Sequence, residues 1–432
     1  MTDLSAVLDD LAWRGLIAES TDPDALRSAF AAGPVTYYCG FDPTAASLHF
    51  GNLVQLVTMR RLQLAGHRPI AVVGGATGLV GDPSGKSAER AFNEAEVVAG
   101  WVERIRSQVE RYLSFEGANA AIIANNLDWT GPMSAIEFMR DIGKHFSVSR
   151  MLAKESVAAR LADEGISYTE FSYQIMQALD YLELYRRHAC TLQTGGSDQW
   201  GNLTAGVDLI RRADGASVHA LATPLLTRAD GSKYGKTEGE TIWLDPALTS
   251  PFAFYQYFLN VEDSEVGSLL RTFSFRSHEE IEGLEAGAAA HPESRAAQRA
   301  LAEELTTLVH GADESQRAIA ASSALFGGAE LTDLDEATVA AAVAELPHAA
   351  LPAGQPLPTI LDLLVATGLA ESRSDARRVI GDGGAYLNNR KVSDPAAAAS
   401  AAELIHGRWL ILRRGKRRLA VAELTPAQAA SA

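Results

Sequence analysis

The chain has 432 residues, 47% apolar and 21% charged, a balance that suits a soluble protein of two or three domains and excludes wholesale disorder. Two cysteines, Cys39 and Cys190, are too few for a disulfide framework or a four-cysteine zinc site. The opening Met1-Thr2-Asp3-Leu4 and the polar character of the longest uncharged stretch (43–59) point to a cytoplasmic protein without a membrane span. The net charge of −16 hides an asymmetry, because 373–418 carries eleven Lys and Arg against four Asp and Glu, a basic tail on an acidic body that suits binding of a polyanion at one end.

In chain order, the pattern predicts an amphipathic helix over 4–18, a strand over 35–41, a helix over 53–65 and a buried strand over 69–75, where the apolar run is continuous. A helix over 94–115, a strand over 120–124 and helices over 133–142, 148–161 and 171–187 follow, then a strand over 189–192 and a helix over 199–212. Strands alternating with helices, with Gly-rich turns after strands, describe an α/β domain with a mainly parallel sheet, which binds ligands beyond the carboxyl ends of its strands. From 251 to about 328 the pattern is helical. Residues 331–356 hold eight Ala, three Pro, four acids and no Lys or Arg, and read as a loose connection with a short helix around 336–346. The basic module fills 357–424.

Several polar segments fall where such a sheet opens. Gly74–Ser87 invites comparison with a P-loop, but Val80 stands where that motif needs its first glycine. It remains a turn after a strand with backbone N–H groups, one acid and one lysine, suited to a small-molecule or phosphate site or to a plain structural turn. His49, Gly51 and Asn52 sit where a loop enters a helix, whose N-terminal N–H groups suit phosphate. Asp198 and Gln199 follow the Gly195-Gly196 turn, where a carboxylate can hold ribose hydroxyls. Lys233 and Lys236 lie three apart on a Gly-punctuated loop and can clamp a polyphosphate. Tyr173, Gln177 and Asp180 share one face of a helix whose other neighbours are apolar, so they could read a polar aromatic ligand.

The order and separation of these segments are more specific than any one of them. His49-Phe50-Gly51-Asn52 and Lys233-Tyr234-Gly235-Lys236-Thr237 resemble the HIGH and KMSKS signatures of class I aminoacyl-tRNA synthetases. Tyr37–Thr44, Gly74–Lys86, Gly143–Val148 and Glu170–Tyr173 resemble the bacterial tyrosyl-tRNA synthetases, and the basic tail resembles their S-four-type RNA-binding module. The resemblance spans nearly the whole chain. It implies a Rossmann-like parallel-sheet catalytic domain (1–222), a helical domain opening on the mobile KMSKS-type loop (223–330), a linker (331–356) and an α+β RNA-binding domain (357–432).

It further implies activation of L-tyrosine by ATP, with Mg²⁺ accompanying the nucleotide and no dedicated metal site, followed by transfer to tRNA(Tyr), in a homodimer. Tyr38 and Asp180 should bracket the phenolic hydroxyl. Asp82, Tyr173 and Gln177 should hold the α-ammonium, and Asn126 and Gln199 should lie near the carboxylate. Asp42, Gly51, Gly196 and Asp198 should hold the nucleotide. Thr44, His49, Asn52, Lys86, Arg90, Lys233, Lys236 and Thr237 should act on the phosphates. Arg373, Arg377, Arg378, Arg390, Lys391, Arg413 and Arg414 should bind tRNA. Asn52 stands where HIGH ends in histidine, and Tyr234-Gly235 replaces the middle of KMSKS. A tryptophanyl-type synthetase and a non-catalytic RNA-binding descendant of a synthetase are the alternatives.

Overall fold

The computed structural model describes residues 3–82, 93–152, 157, 165–227, 236–237, 240–326, 330–344, 346–415 and 418–425, with backbone alone at 236, 237 and 240. They form two compact units, Met1–Leu248 with Glu262–Ala297, and Thr249–Val261 with Gln298–Ala432.

The first unit is built on six strands, β1 (Glu19–Ser20), β2 (Thr36–Phe41), β3 (Arg68–Val73), β4 (Ile122–Asn125), β5 (Cys190–Gly196) and β6 (His219–Thr223), in the spatial order β1-β6-β5-β2-β3-β4. The five from β2 to β6 run parallel, and β1 closes the edge antiparallel to β6. In β3 only Arg68 is exposed, and β6 is buried throughout, because both faces of a parallel sheet are covered. Tyr38, Ile70 and Val72 of the strands join Ala178, Leu179 and Leu182 of the helix Tyr168–His188, and Ala205 and Leu209 of the helix Trp200–Ala213, in one core. That first helix begins where the Ser167 hydroxyl accepts the Glu170 N–H and ends at Ala189, whose φ of 50° is left-handed. The chain builds outward through β3 and β4 on one side of β2, and through β5 and β6 on the other. The crevice therefore opens between the carboxyl ends of β2 and β5, at Phe41 and Gly196.

The predicted alternation is present, with differences at its margins. The strand expected over 189–192 runs on to Gly196. The strand β6, the short β1 and the helix Pro23–Ala32 had no expectation. The helix expected over 133–142 is one α-turn, Ala135–Glu137, running into a π-turn, Phe138–Ile142. Of the helix expected over 148–161, Val148–Leu152 is described. Two strands of two residues, β7 (Lys236–Thr237) and β8 (Glu240–Thr241), pair antiparallel.

The second unit carries a five-stranded sheet ordered β11-β10-β12-β13-β9, formed by β9 (His348–Pro352), β10 (Ala385–Leu387), β11 (Arg390–Lys391), β12 (Trp409–Arg414) and β13 (Arg418–Thr425). Alternate residues of β12 face opposite cores, as a pleated strand requires. Leu410 and Leu412 pack with Leu363, Leu364 and Ile380 of the helices Ile360–Ala366 and Arg373–Gly381. Trp409 and Ile411 pack with Ala321, Leu325, Val339 and Val343.

The short helix expected around 336–346 is present as Glu336–Ala344, but residues 331–356 are packed rather than loose: the helix is buried with Trp409, and β9 completes the sheet by pairing parallel to β13. Small alanine side chains let this helix lie close to its neighbours, so a composition that resembles a flexible tether is packed. The boundaries expected at 222/223 and 330/331 also fail to coincide with the division into units, which sends Thr249–Val261 into the second and Glu262–Ala297 back into the first.

Candidate active site

A cavity of about 360 Å³ fills the crevice of the first unit. Fourteen of the residues singled out in the sequence line it: Tyr38, Asp42, Thr44, His49, Gly51, Asn52, Asp82, Asn126, Tyr173, Gln177, Asp180, Gly196, Asp198 and Gln199. Lys86, Arg90 and Lys233 lie outside the described residues, and Lys236 and Thr237 are placed by backbone alone, in β7.

At the inner end, Tyr38 points from β2 and Asp180 from the helix Tyr168–His188, and both are almost fully buried. Asp180 accepts the Trp129 indole N–H on Oδ1 at 2.8 Å and the Asn126 amide on Oδ2 at 3.0 Å. Burial pushes its carboxyl up to about 7, against the opposite pull of those two bonds. The Tyr38 hydroxyl has no hydrogen-bond partner among the described residues, and burial with the charge of Asp180 raises its pKa well above the usual phenol value. A buried hydroxyl left unpaired beside a carboxylate is costly in an empty pocket. It becomes an asset when a ligand brings a second hydroxyl.

Midway, Tyr173 donates its hydroxyl to Asp42 Oδ2 at 2.6 Å, and Thr77 donates to Asp42 Oδ1 at 2.6 Å. The Tyr173 proton is thereby committed, so its oxygen faces the cavity as an acceptor. Burial, then the nearby Asp42 and Asp82 charges, hold its pKa well above the ordinary value. Gln177 Oε1 is buried without a partner among the described residues. Asp82 accepts Gln199 Nε2 at 2.6 Å, and Gln199 Oε1 accepts from Asn202. Three acceptors, one of them a carboxylate, thus surround a space fit for an ammonium group.

At the mouth, His49 caps the helix Phe50–Leu64, and its backbone N–H donates to Asn52 Oδ1 at 3.0 Å. That bond orients the Asn52 amide nitrogen as a donor for an anion at the helix N-terminus. Leu48–Phe50 is also tied to Ile242–Leu244 by backbone bonds from Phe50 to Ile242 and from Leu244 to Leu48, with the bridge His49–Trp243 between them. The segment following β8 is therefore anchored beside His49. Opposite, Gly196 ends β5 and Asp198 lies in the 3-10 turn Ser197–Gln199 that follows; a Cβ on Gly196 would meet Asp198 Oδ1 at 2.6 Å.

Two of the lining amides are bound to protein groups. Asn126 accepts the Ala76 N–H and donates to Thr77 and Asp180. Gln199 has both ends of its amide engaged with Asp82 and Asn202. Sequence reasoning missed Trp129 and Thr77, which hold Asp180 and Asp42. It also missed Cys39, a lining residue whose thiol burial pushes up to about 12, which leaves it protonated and no nucleophile.

In the second unit, the seven basic residues divide by their partners. Arg414 binds Asp375 at 2.7 Å and the Leu369 carbonyl, Arg378 binds Asp375 at 2.8 Å, and Arg373 binds Asp362 at 2.7 Å. Arg390 lies 3.9 Å from Glu330. Arg377 and Lys391 make no ion pair among the described residues and are exposed, and Arg413 lies over the Tyr386 ring.

Residues 31–327 match the family described as tRNA synthetases class I (W and Y), and 338–422 match the Tyrosine--tRNA ligase SYY-like C-terminal domain. The chain belongs to the class I tRNA synthetases of the W and Y family. It is 63% identical to a tyrosine–tRNA ligase of Streptomyces avermitilis over 98% of this chain and 100% of the relative. It is 62% identical to that of Streptomyces coelicolor over 99% and 100%. Its structure is similar to a C-terminally truncated mitochondrial tyrosyl-tRNA synthetase of Aspergillus nidulans, with a TM-score of 0.66 and 29% identity over 72% of this chain and 92% of that one. Within the class it stands with the tyrosine–tRNA ligases.

Proposed function

We propose that the cavity of the first unit binds L-tyrosine and ATP side by side and that the chain is a tyrosine–tRNA ligase, making tyrosyl-adenylate and passing tyrosine to the terminal ribose of tRNA(Tyr). The observation that carries this reading is the buried Tyr38 hydroxyl, without a hydrogen-bond partner among the described residues, beside Asp180. A para-hydroxyl placed there donates to Asp180 and accepts from Tyr38. Phenylalanine would leave the Tyr38 hydroxyl without a partner and bring Asp180 no donor beyond Trp129 and Asn126 in a dry site. Tyrosyl-tRNA synthetases are themselves the standard illustration of such rejection without editing.

Tyr173, Gln177 and Asp82 take the α-ammonium, which turns the substrate carboxylate toward the mouth. That carboxylate attacks the α-phosphorus of ATP, forming the mixed anhydride as the bond to pyrophosphate breaks. No general base is required, because the nucleophile is already an anion. Rate comes from positioning and from stabilising the charge on the phosphates. Thr44, His49 and Asn52 do so at the helix N-terminus, joined by Lys86, Arg90, Lys233, Lys236 and Thr237. Asp198 and Gly196 hold the ribose. Asp42, fixed by Thr77 and Tyr173, supports both substrates. Mg²⁺ arrives with the triphosphate as part of the nucleotide substrate.

The second unit carries the tRNA through its basic residues. The chain works as a homodimer, a reading supported by the exposed apolar side chains Ile136, Met139, Val148 and Leu152 on the first unit. It works in the cytoplasm. Both cysteines are free, buried thiols, as suits a reducing compartment, and no helix among the described residues is long and apolar enough to cross a membrane.

Pyrophosphate exchange with each amino acid in turn tests the reading. Tyrosine is expected to support exchange, and phenylalanine and tryptophan are not. Exchange with tryptophan but not tyrosine refutes it.

A further inference from the structure

The sheet of the second unit holds one row of residues that its packing leaves uncovered. Tyr386 of β10 stands directly opposite Lys391 of β11 on one side and Arg413 of β12 on the other, so all three project from the same face. Arg413 in turn opposes Leu419 of β13, where the row enters the buried cluster of Trp409, Ile411 and Val421. The covered part of this face therefore ends at Arg413. Its guanidinium carbon lies 4.2 Å from the Tyr386 ring centroid, and its Nε is buried with no partner among the described residues. At the other end of the row, Lys391 is exposed and makes no ion pair among the described residues. Its Nζ would be 2.4 Å from a Cβ on Gly383, so the ammonium rests over a bare glycine whose φ of 71° itself favours glycine. The hairpin that presents Lys391 turns through Asn388 and Asn389, with φ of 46° and 63°, the two-residue turn with positive φ at both positions that matches strand twist.

We propose that Lys391, Tyr386 and Arg413 form a platform for one unpaired nucleotide of tRNA, with the base stacked on the Tyr386–Arg413 pair and its phosphate held by Lys391. Chemistry selects this occupant. A cation already stacked on a phenol offers a flat, polarised surface to a nucleobase, and the adjacent ammonium supplies the charge a phosphodiester needs. A peptide carboxylate would use the cations and leave the ring idle. The proposal deepens the reading of this unit as the tRNA-binding part and rests on it. It also sorts the basic residues. Arg414 and Arg378 pair with Asp375, which they hold at about 2, and Arg373 pairs with Asp362, so these three are engaged within the unit. Lys391, Arg413 and Arg377, which makes no ion pair among the described residues, face the nucleic acid.

The test uses the full chain and a tRNA(Tyr) transcript, with Kd measured across a KCl series. Tyr386→Leu is expected to weaken binding about tenfold with an unchanged salt slope, and Tyr386→Phe, which keeps the ring, to bind within about twofold of the parent. Lys391→Ala is expected to reduce the slope of log Kd against log salt by about 0.7, one phosphate on a single strand. Unfolding midpoints report whether each variant is folded, and Tyr386→Met replaces Tyr386→Leu if that variant melts below the assay temperature. Parental binding by the variant lacking the ring, with a reduced slope in Lys391→Ala, overturns the platform and leaves an electrostatic surface. Unchanged Kd and slope in Tyr386→Leu, Lys391→Ala and Arg377→Ala together overturn the tRNA reading of the whole unit.

Discussion

Asp180 ties ligand choice to a proton. Its folded pKa of about 7 lies above the ordinary 3.8, so the empty folded protein holds a proton that the unfolded chain releases between these values. The stability this contributes is full below about pH 4 and is lost as pH rises through 7. A phenol donating to the carboxylate favours the charged form and draws the pKa back down. Tyrosine binding is therefore expected to release a fraction of a proton near pH 7 and to weaken as pH falls below it, the two effects being linked. Calorimetric titration in two buffers of different ionisation enthalpy checks this, and identical heats would refute it. The helical spacing of Tyr173, Gln177 and Asp180 made this face legible in the sequence. Trp129 was not legible, because no local pattern links a residue in the short helix Leu127–Thr130 to one 51 positions later. The same holds for Tyr173 and Asp42, which are 131 residues apart.

The turn after β3 shows what an element contributes beyond its residue types. Gly74 accepts the Gly78 N–H on its carbonyl and donates its own N–H to Phe41, which folds the short helix Thr77–Val80 back over the end of β2. A Cβ on Gly74 would lie 2.1 Å from Asp42 Oδ1 and 2.3 Å from Thr77 Oγ1. Gly74→Ala is expected to displace Asp42 and cut tyrosine activation at least tenfold, with a stability cost of about 1–3 kcal/mol as for other overpacking. Exchange kinetics beside a denaturant melt separate the two effects, and parental kinetics would refute the close fit. The sequence marked 74–87 as a glycine-rich turn that is no P-loop. It could not single out Gly74, because the atoms that forbid a side chain there include those of Asp42, which lies just past the end of the neighbouring β2. The short helix expected around 336–346 is present as Glu336–Ala344, but its packing was not legible, because its partners Trp409, Ile411 and Val421 lie roughly seventy residues further on.

For the whole molecule, the two units do not correspond to two stretches of chain. Cutting after residue 356 removes Trp409, Ile411, Leu419 and Val421 from beside Ala321, Leu325, Val339 and Val343, and strips β9 of β13. Such a truncation is expected to retain tyrosine-dependent exchange, because every described lining residue of the cavity precedes residue 227, yet to bind far more of a hydrophobic dye than the full chain. Equal dye binding would refute the packing described for the second unit. The parallel α/β order was readable because buried strands declare themselves as apolar runs. The split assignment of 249–297 was not, since all of it reads as helix. This threading has a consequence during synthesis. The helix Pro251–Leu259 buries Phe252 and Phe254 against segments that leave the ribosome only after roughly fifty more residues, a wait of roughly 3–10 seconds at 5–20 residues per second. Its aromatic face must meanwhile be shielded by something other than its eventual neighbours, so slowed translation in this interval is where nascent chains would need a chaperone most.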